Sequence, residues 1–133
     1  MPLAPELWFL AGGVVLLGVH VALQSGLALR EQGRGYNAGP RDEPKPLTSA
    51  LASRAERALR NFQETFPAFA ALALAVVVAG RAEGWSAAGA GLWFFARAAY
   101  IPLYLAGIPY IRSLVWLASV AGLALMLVGL LAG

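Results

Sequence analysis

Two stretches of this chain, residues 7–29 and 113–133, contain no charged side chain and run to 23 and 21 residues. A helix rises about 1.5 Å per residue, so each reaches across a hydrocarbon core roughly 30 Å thick. Inside a bilayer the backbone must satisfy its own polar groups, which leaves helices as the form for such segments. The chain therefore reads as an all-α integral membrane protein. Its composition agrees: 59% of residues are hydrophobic and 13% charged, against about 45–50% apolar and 25% charged in soluble domains.

The region between these stretches is more constraining, because its charges are spaced too closely. Only sixteen residues separate Glu64 from Arg81, about 24 Å of helix and too little to span. A spanning helix must begin earlier, near Arg57, and carries Asn61 and Glu64 into the membrane. Residues 84–96 give only thirteen uncharged positions, so the next span must continue through Arg97. The expected architecture is one 133-residue domain, a bundle of four transmembrane helices at about 6–29, 57–80, 85–106 and 112–132. A polar loop over 30–56 holds the breakers Pro40, Pro44 and Pro46, and short turns occupy 81–84 and 107–111. Lys and Arg concentrate in and around the first loop, with Arg112 beside the third. The positive-inside rule puts loops one and three in the cytoplasm and both termini outside.

Several chemistries are closed off. The chain has no cysteine and one histidine, His20, so disulfides, thiolate nucleophiles and multi-histidine metal sites are excluded, and no metal is expected. The basic excess, a formal charge of +3, follows topology and does not predict nucleic-acid binding. The N-terminus lacks a basic leader before its first apolar run, so no cleaved signal peptide is expected.

A charge at bilayer depth is costly and usually marks a function. Arg57, Asn61 and Glu64 fall at i, i+4 and i+7, on one helix face; Arg97, Tyr100 and Tyr104 fall at i, i+3 and i+7 on another. Both sets lie toward the cytoplasmic ends of their spans and can meet at similar depth. Guanidinium groups grip carboxylates through paired N–H donors, Glu64 accepts from an amino group, and the tyrosines orient. The set suits a small, carboxylate-rich zwitterion. A plainer alternative is a structural Glu64–Arg97 ion pair that fixes helix register in a non-catalytic structural or ligand-binding protein. A transporter is disfavoured, since no inverted repeat is visible. His20 and Gln24, at i and i+4, predict an interhelical hydrogen bond. Trp85 and Trp116 read as interfacial anchors, and Pro67 and Pro102 as kinks inside spans.

The stretch RALRNFQETFP over residues 57–67 resembles the signature of the MAPEG family, the membrane-associated proteins in eicosanoid and glutathione metabolism: Arg, three residues, Asn, two residues, Glu, and usually Phe-Pro shortly after. Residues 95–100, FARAAY, with Tyr104, resemble the family's Phe-Ala-Arg segment and paired tyrosines. The NAGPRDEP loop and the NFQETFP form are similar to a bacterial branch, which implies a bacterial inner membrane. Thr65 stands where the family usually has an aromatic, Leu59 where some members are polar, and the first loop is longer than usual. The resemblance implies a homotrimer that binds glutathione, as co-substrate, between protomers at Arg54, Arg57, Asn61, Glu64, Arg97, Tyr100 and Tyr104. It further implies that Arg112 stabilises the thiolate, although its spacing from Tyr104 differs from that in characterised enzymes. A guanidinium beside a thiol favours the anion. The implied activity is a glutathione transferase or peroxidase acting on a lipophilic electrophile or lipid hydroperoxide that enters from the membrane lipid.

Overall fold

The computed structural model describes residues 2–132. Among them it contains only helices: α1 (Pro5–Gln32), α2 (Arg34–Ala38), α3 (Ala50–Val78), α4 (Trp85–Leu105) and α5 (Pro109–Ala132). Helices α1, α3 and α5 are long and apolar enough to cross a membrane. The fourth long helix, α4, has 21 residues, about 31 Å, and carries Arg97 in its interior.

The boundaries follow from local chemistry. Proline opens α1, where its missing N–H would have had no partner. Gly33, at φ 87°, ends α1. The ends of α3 and α4 share one device. Gly80 and Gly107 adopt φ 69° and 74°, and the next residue's N–H reaches back five positions, Arg81 to Val76 at 2.7 Å and Ile108 to Leu103 at 3.1 Å. This pattern satisfies carbonyls that the helix end would leave open. Pro109 then starts α5. Pro67 and Pro102 lie inside α3 and α4 without ending either helix.

The non-helical part of the first loop is shorter than the 30–56 expected. α1 runs to Gln32 and α3 starts at Ala50. Ser49 caps α3 by accepting the Ala52 N–H, and the Ala50, Ala52, Ala55 and Ala58 series propagates helix in headgroup or water as readily as in lipid. The remaining strap is tied to the end of α1. Gln32 Nε2 donates to the Lys45 carbonyl at 2.5 Å, and Lys45 Nζ donates to the Gln32 carbonyl at 3.0 Å. The Glu31 carboxylate accepts from the Thr48 N–H, the Thr48 hydroxyl and the Ser49 N–H.

Trp93 organises the core. It is fully buried, stacks on Phe69 at 3.8 Å and 7°, and meets Phe62 and Phe66 at tilted or edge geometry. Leu16, Ala73, Ala90 and Met126 complete the cluster. Helices α4 and α5 approach backbone to backbone: a Cβ on Gly122 would lie 2.6 Å from the Gly89 carbonyl, and one on Gly129 would lie 2.9 Å from the Ser86 nitrogen. Small residues permit this approach. Many large apolar side chains face outward, Val15, Leu74, Val78, Phe95 and Leu131 among them, the arrangement expected of an integral membrane protein with lipid as solvent.

Candidate functional site

Antiparallel α1 and α3 fix the depth of the polar residues. The His20 ring of α1 packs at a tilt against Phe62 of α3 at 4.8 Å, and Glu31 at the end of α1 binds Thr48 and Ser49 just before α3. Arg54, Arg57 and Asn61 are therefore level with the last turns of α1.

Arg97 is completely buried. Its Nη1 donates to Asn61 Oδ1 at 2.9 Å, and its guanidinium lies over the Tyr100 ring at 4.4 Å and the Phe62 ring at 5.4 Å. A cation over an aromatic face is attracted by the ring quadrupole. Nε and Nη2 have no hydrogen-bond partner, so the charge is held by one neutral acceptor and two rings.

The Glu64–Arg97 ion pair considered from the sequence is not formed. Among the described residues the one ion pair within 4 Å joins Arg60 and Glu56 on the surface of α3. Glu64 is exposed on the protomer. The cause is helical pitch: three residues turn the chain by about 300°, so when Asn61 points at α4, Glu64 is rotated about 60° out of the interface.

Beside Asn61 lies an open cleft of about 510 Å³ between α3, α4 and α5. Asn61, Tyr100, Tyr104 and Arg112 line it together with Ser113, Trp116 and Leu117. The Tyr100 and Tyr104 rings are 5.4 Å apart. The Arg112 guanidinium lies over the Tyr104 ring at 4.7 Å, and the Tyr104 hydroxyl accepts from Arg57 Nε at 3.3 Å. The cleft thus has a cation at one side, an amide at the other and two phenols between.

The structure distributes the eight sequence candidates unevenly. Asn61, Tyr100, Tyr104 and Arg112 share the cleft. Arg57 touches it through Tyr104. Arg97 sits behind it, under Asn61 and Tyr100. Arg54 faces elsewhere: its Nη1 donates to the Leu105 carbonyl at 3.2 Å, at the end of α4. There a cation complements the negative end of the helix dipole. Glu64 is on the outer face of α3.

Three cleft residues were not expected there from the sequence. Ser113 and Leu117 line the cleft, as does Trp116, expected as an interfacial anchor. Its indole Nε1 is buried without a partner. The signal was present: 112, 113, 116 and 117 lie at i, i+1, i+4 and i+5, one face of a helix. Among the described residues His20 has no interhelical hydrogen-bond partner; its ring packs on Phe62 and Nε2 is unpartnered. Among the described residues no group of three His, Asp or Glu converges on a metal-sized site.

A model of the MAPEG family matches residues 7–132 of the chain. No curated protein and no solved structure matches it.

Proposed function

The chain belongs to the MAPEG family, and from that premise we propose that it is a membrane-embedded, glutathione-dependent transferase or peroxidase. The observation that carries the reading is the cleft in which Asn61, Tyr100, Tyr104 and Arg112 converge. Glutathione is a zwitterionic peptide with two carboxylates, an amine and a thiol. Arg57 and the Asn61 amide suit its carboxylates and peptide groups, Glu64 its amine, and the two tyrosines its orientation. Arg97 lies under Asn61 and Tyr100 and supplies positive charge from below. Arg54 completes the set by resemblance, while its guanidinium contacts the end of α4.

Arg112 is the residue for the chemistry. A guanidinium at the thiol lowers its pKa and stabilises the thiolate. The thiolate sulfur then bonds to the electrophilic carbon of a lipophilic substrate, and the leaving group or opened oxygen takes a proton from water. Leu117 and Trp116, on the α5 side of the cleft, suit the apolar part of that substrate.

The assembly proposed is a homotrimer with glutathione between protomers, both termini outside and the first and third loops cytoplasmic. Its support is that Glu64 and Arg57 are exposed on the single chain within a helix apolar enough to span. A charge facing lipid is costly, and a second copy against this face removes the cost.

The test is glutathione titration of the purified protein in detergent by calorimetry, with ultraviolet absorbance for the thiolate. Saturable binding that is lost in Arg57→Ala, with a thiolate band lost in Arg112→Ala while affinity stays nearly intact, is the expected result. No binding at millimolar glutathione would sink the proposal, and an undiminished thiolate band in Arg112→Ala would remove Arg112 from its role.

A further inference from the structure

Two guanidinium groups touch Tyr104 at two different places. Tyr104 is the next-to-last residue of α4, Arg112 is the fourth of α5, and only residues 106–108 separate the helices, so the turn brings the two side chains together. The Arg112 guanidinium lies over the Tyr104 ring at 4.7 Å. Arg57, from α3, donates through Nε to the Tyr104 hydroxyl at 3.3 Å. A phenol has two electron-rich places, the oxygen in the plane of the ring and the π face. Each arginine takes one of them.

The ring is fixed from behind. Tyr104 is buried with Ala58 and Tyr100, and Val115 and Trp116 pack against that cluster. The Tyr100 ring stands 5.4 Å away at 54°. Arg112 has a long side chain with many rotamers, and among the described residues it joins no ion pair. A rigid aromatic face beside a flexible cation limits where that cation rests.

The kind of contact matters for the chemistry. A carboxylate would hold Arg112 more tightly, but it would cancel the charge and occupy N–H donors. An aromatic face attracts the cation through its quadrupole and brings no net charge. Arg112 therefore keeps its full charge on the wall of the cleft, where a thiolate would meet it. The hydroxyl contact acts differently: it ties down Arg57 and leaves the ring face as it is.

We propose that Tyr104 is a positioning residue that divides the two arginines by function. Its ring holds Arg112 at the thiol subsite, and its hydroxyl holds Arg57 for glutathione affinity. The inference rests on the glutathione reading above, with Arg112 as stabiliser of the thiolate and the thiol proton passing to water. Tyr104 acts on the thiol through Arg112 and not by itself.

The test uses the full-length protein in detergent, with glutathione affinity from calorimetry and the thiolate band followed against pH at saturating glutathione. Tyr104→Phe keeps the ring, so the band and its pH midpoint should stay at the wild-type values while affinity falls several-fold. Tyr104→Leu removes ring and hydroxyl, so most of the band should disappear near neutral pH, its midpoint moving up toward that of free glutathione. Adding Tyr104→Leu to Arg112→Ala should move the midpoint no further than Arg112→Ala alone, because the two act in one step. Progressively fluorinated phenylalanine at position 104 weakens the π face at nearly constant size, and the midpoint should climb with each fluorine. This series reads the ring even if Tyr104→Leu fails to fold. A band lost as fully in Tyr104→Phe as in Tyr104→Leu, a midpoint flat across the fluorinated series, or additive shifts in the double variant would overturn the proposal. A wild type with no thiolate band, or Arg112→Ala with an undiminished one, would overturn the reading of Arg112 and this inference with it. A band lost in Arg112→Ala and kept in Tyr104→Leu would overturn this inference alone.

Discussion

Arg97 donates to Asn61 across the α3–α4 interface at 2.9 Å, so the buried guanidinium meets an amide and not a carboxylate. A neutral acceptor leaves the positive charge uncancelled beside the cleft, where an anionic ligand feels it. A Glu64 pair would have cancelled it.

Asn61→Ala should therefore destabilise the protein, because it removes the one hydrogen-bond acceptor that a buried cation has among the described residues. The expected loss is roughly 1.5–3 kcal/mol, the range for hydrogen bonds to charged groups. Asn61→Asp should restore thermal stability, since it supplies an acceptor at the same place, while weakening the binding of an anionic ligand through added negative charge. Thermal unfolding in detergent reads the first effect and calorimetry the second. An Asn61→Ala variant that melts with the wild type would mean that Arg97 has another acceptor.

The close approach of α4 and α5 makes glycine positions unequal. A Cβ on Gly122 would lie 2.6 Å from the Gly89 carbonyl and 2.8 Å from the Trp93 nitrogen, both backbone atoms that cannot swing away. Gly122→Ala should cost about 1–3 kcal/mol, as overpacking does. Gly18 has nothing within 4 Å of its added Cβ, so Gly18→Ala should be neutral or gain up to about 1 kcal/mol from helix propensity. Melting curves of the two variants should move apart; parallel behaviour would contradict the packing described.

Gly107 combines two constraints. Its φ is 74°, and a Cβ there would stand 2.8 Å from Arg54 Cζ. Gly107→Ala should cost about 1–2 kcal/mol for the left-handed backbone alone, plus the displacement of Arg54. In an Arg54→Ala background the same substitution should cost less, down to the backbone part. A double-mutant cycle with no coupling would show that Arg54 moves aside freely.

The strap over residues 39–49 should loosen in acid. The Glu31 carboxyl is lowered from 4.5, first by the Thr48 hydroxyl and then by the Thr48 N–H. A folded-state value below the unfolded one contributes stability that is present above about pH 4.5 and is lost as pH falls through the lower, folded value. Hydrogen exchange at the Thr48 and Ser49 amides should therefore fall less steeply than the intrinsic rate as pH drops below 4.5, because protection is lost as Glu31 is protonated. In Glu31→Gln that extra pH dependence should vanish; its persistence would assign the effect to another group.

Much of the architecture was legible from charge spacing. Sixteen uncharged residues between Glu64 and Arg81, and thirteen before Arg97, placed both polar sets inside long helices, where the structure has them in α3 and α4. The ends of α3 and α4 fall beside the turns read at 81–84 and 107–111. The start of α3 was read seven residues late. Bilayer thickness was used to place it, and thickness does not stop an alanine-rich helix from extending into the headgroup layer.

The cleft was legible in part. Asn61, Tyr100 and Tyr104 were readable because each shares a helix face with a charge, and Arg112 from its place just past the third turn together with the resemblance. Ser113 and Trp116 were not read as cleft residues, because a serine and a tryptophan at a membrane edge have ordinary uses that spacing does not distinguish.

The sequence by itself determined that Arg97 lies in the interior of a long helix and that Glu64 and Asn61 can share its level, because level depends only on residue count along a helix. The tertiary structure decided which of the two Arg97 meets. That choice depends on rotation about the helix axis, and the rotation of α3 is set by how Phe62 and Phe69 lock against Trp93. Such packing arises between helices and has no expression in the order of residues along one of them.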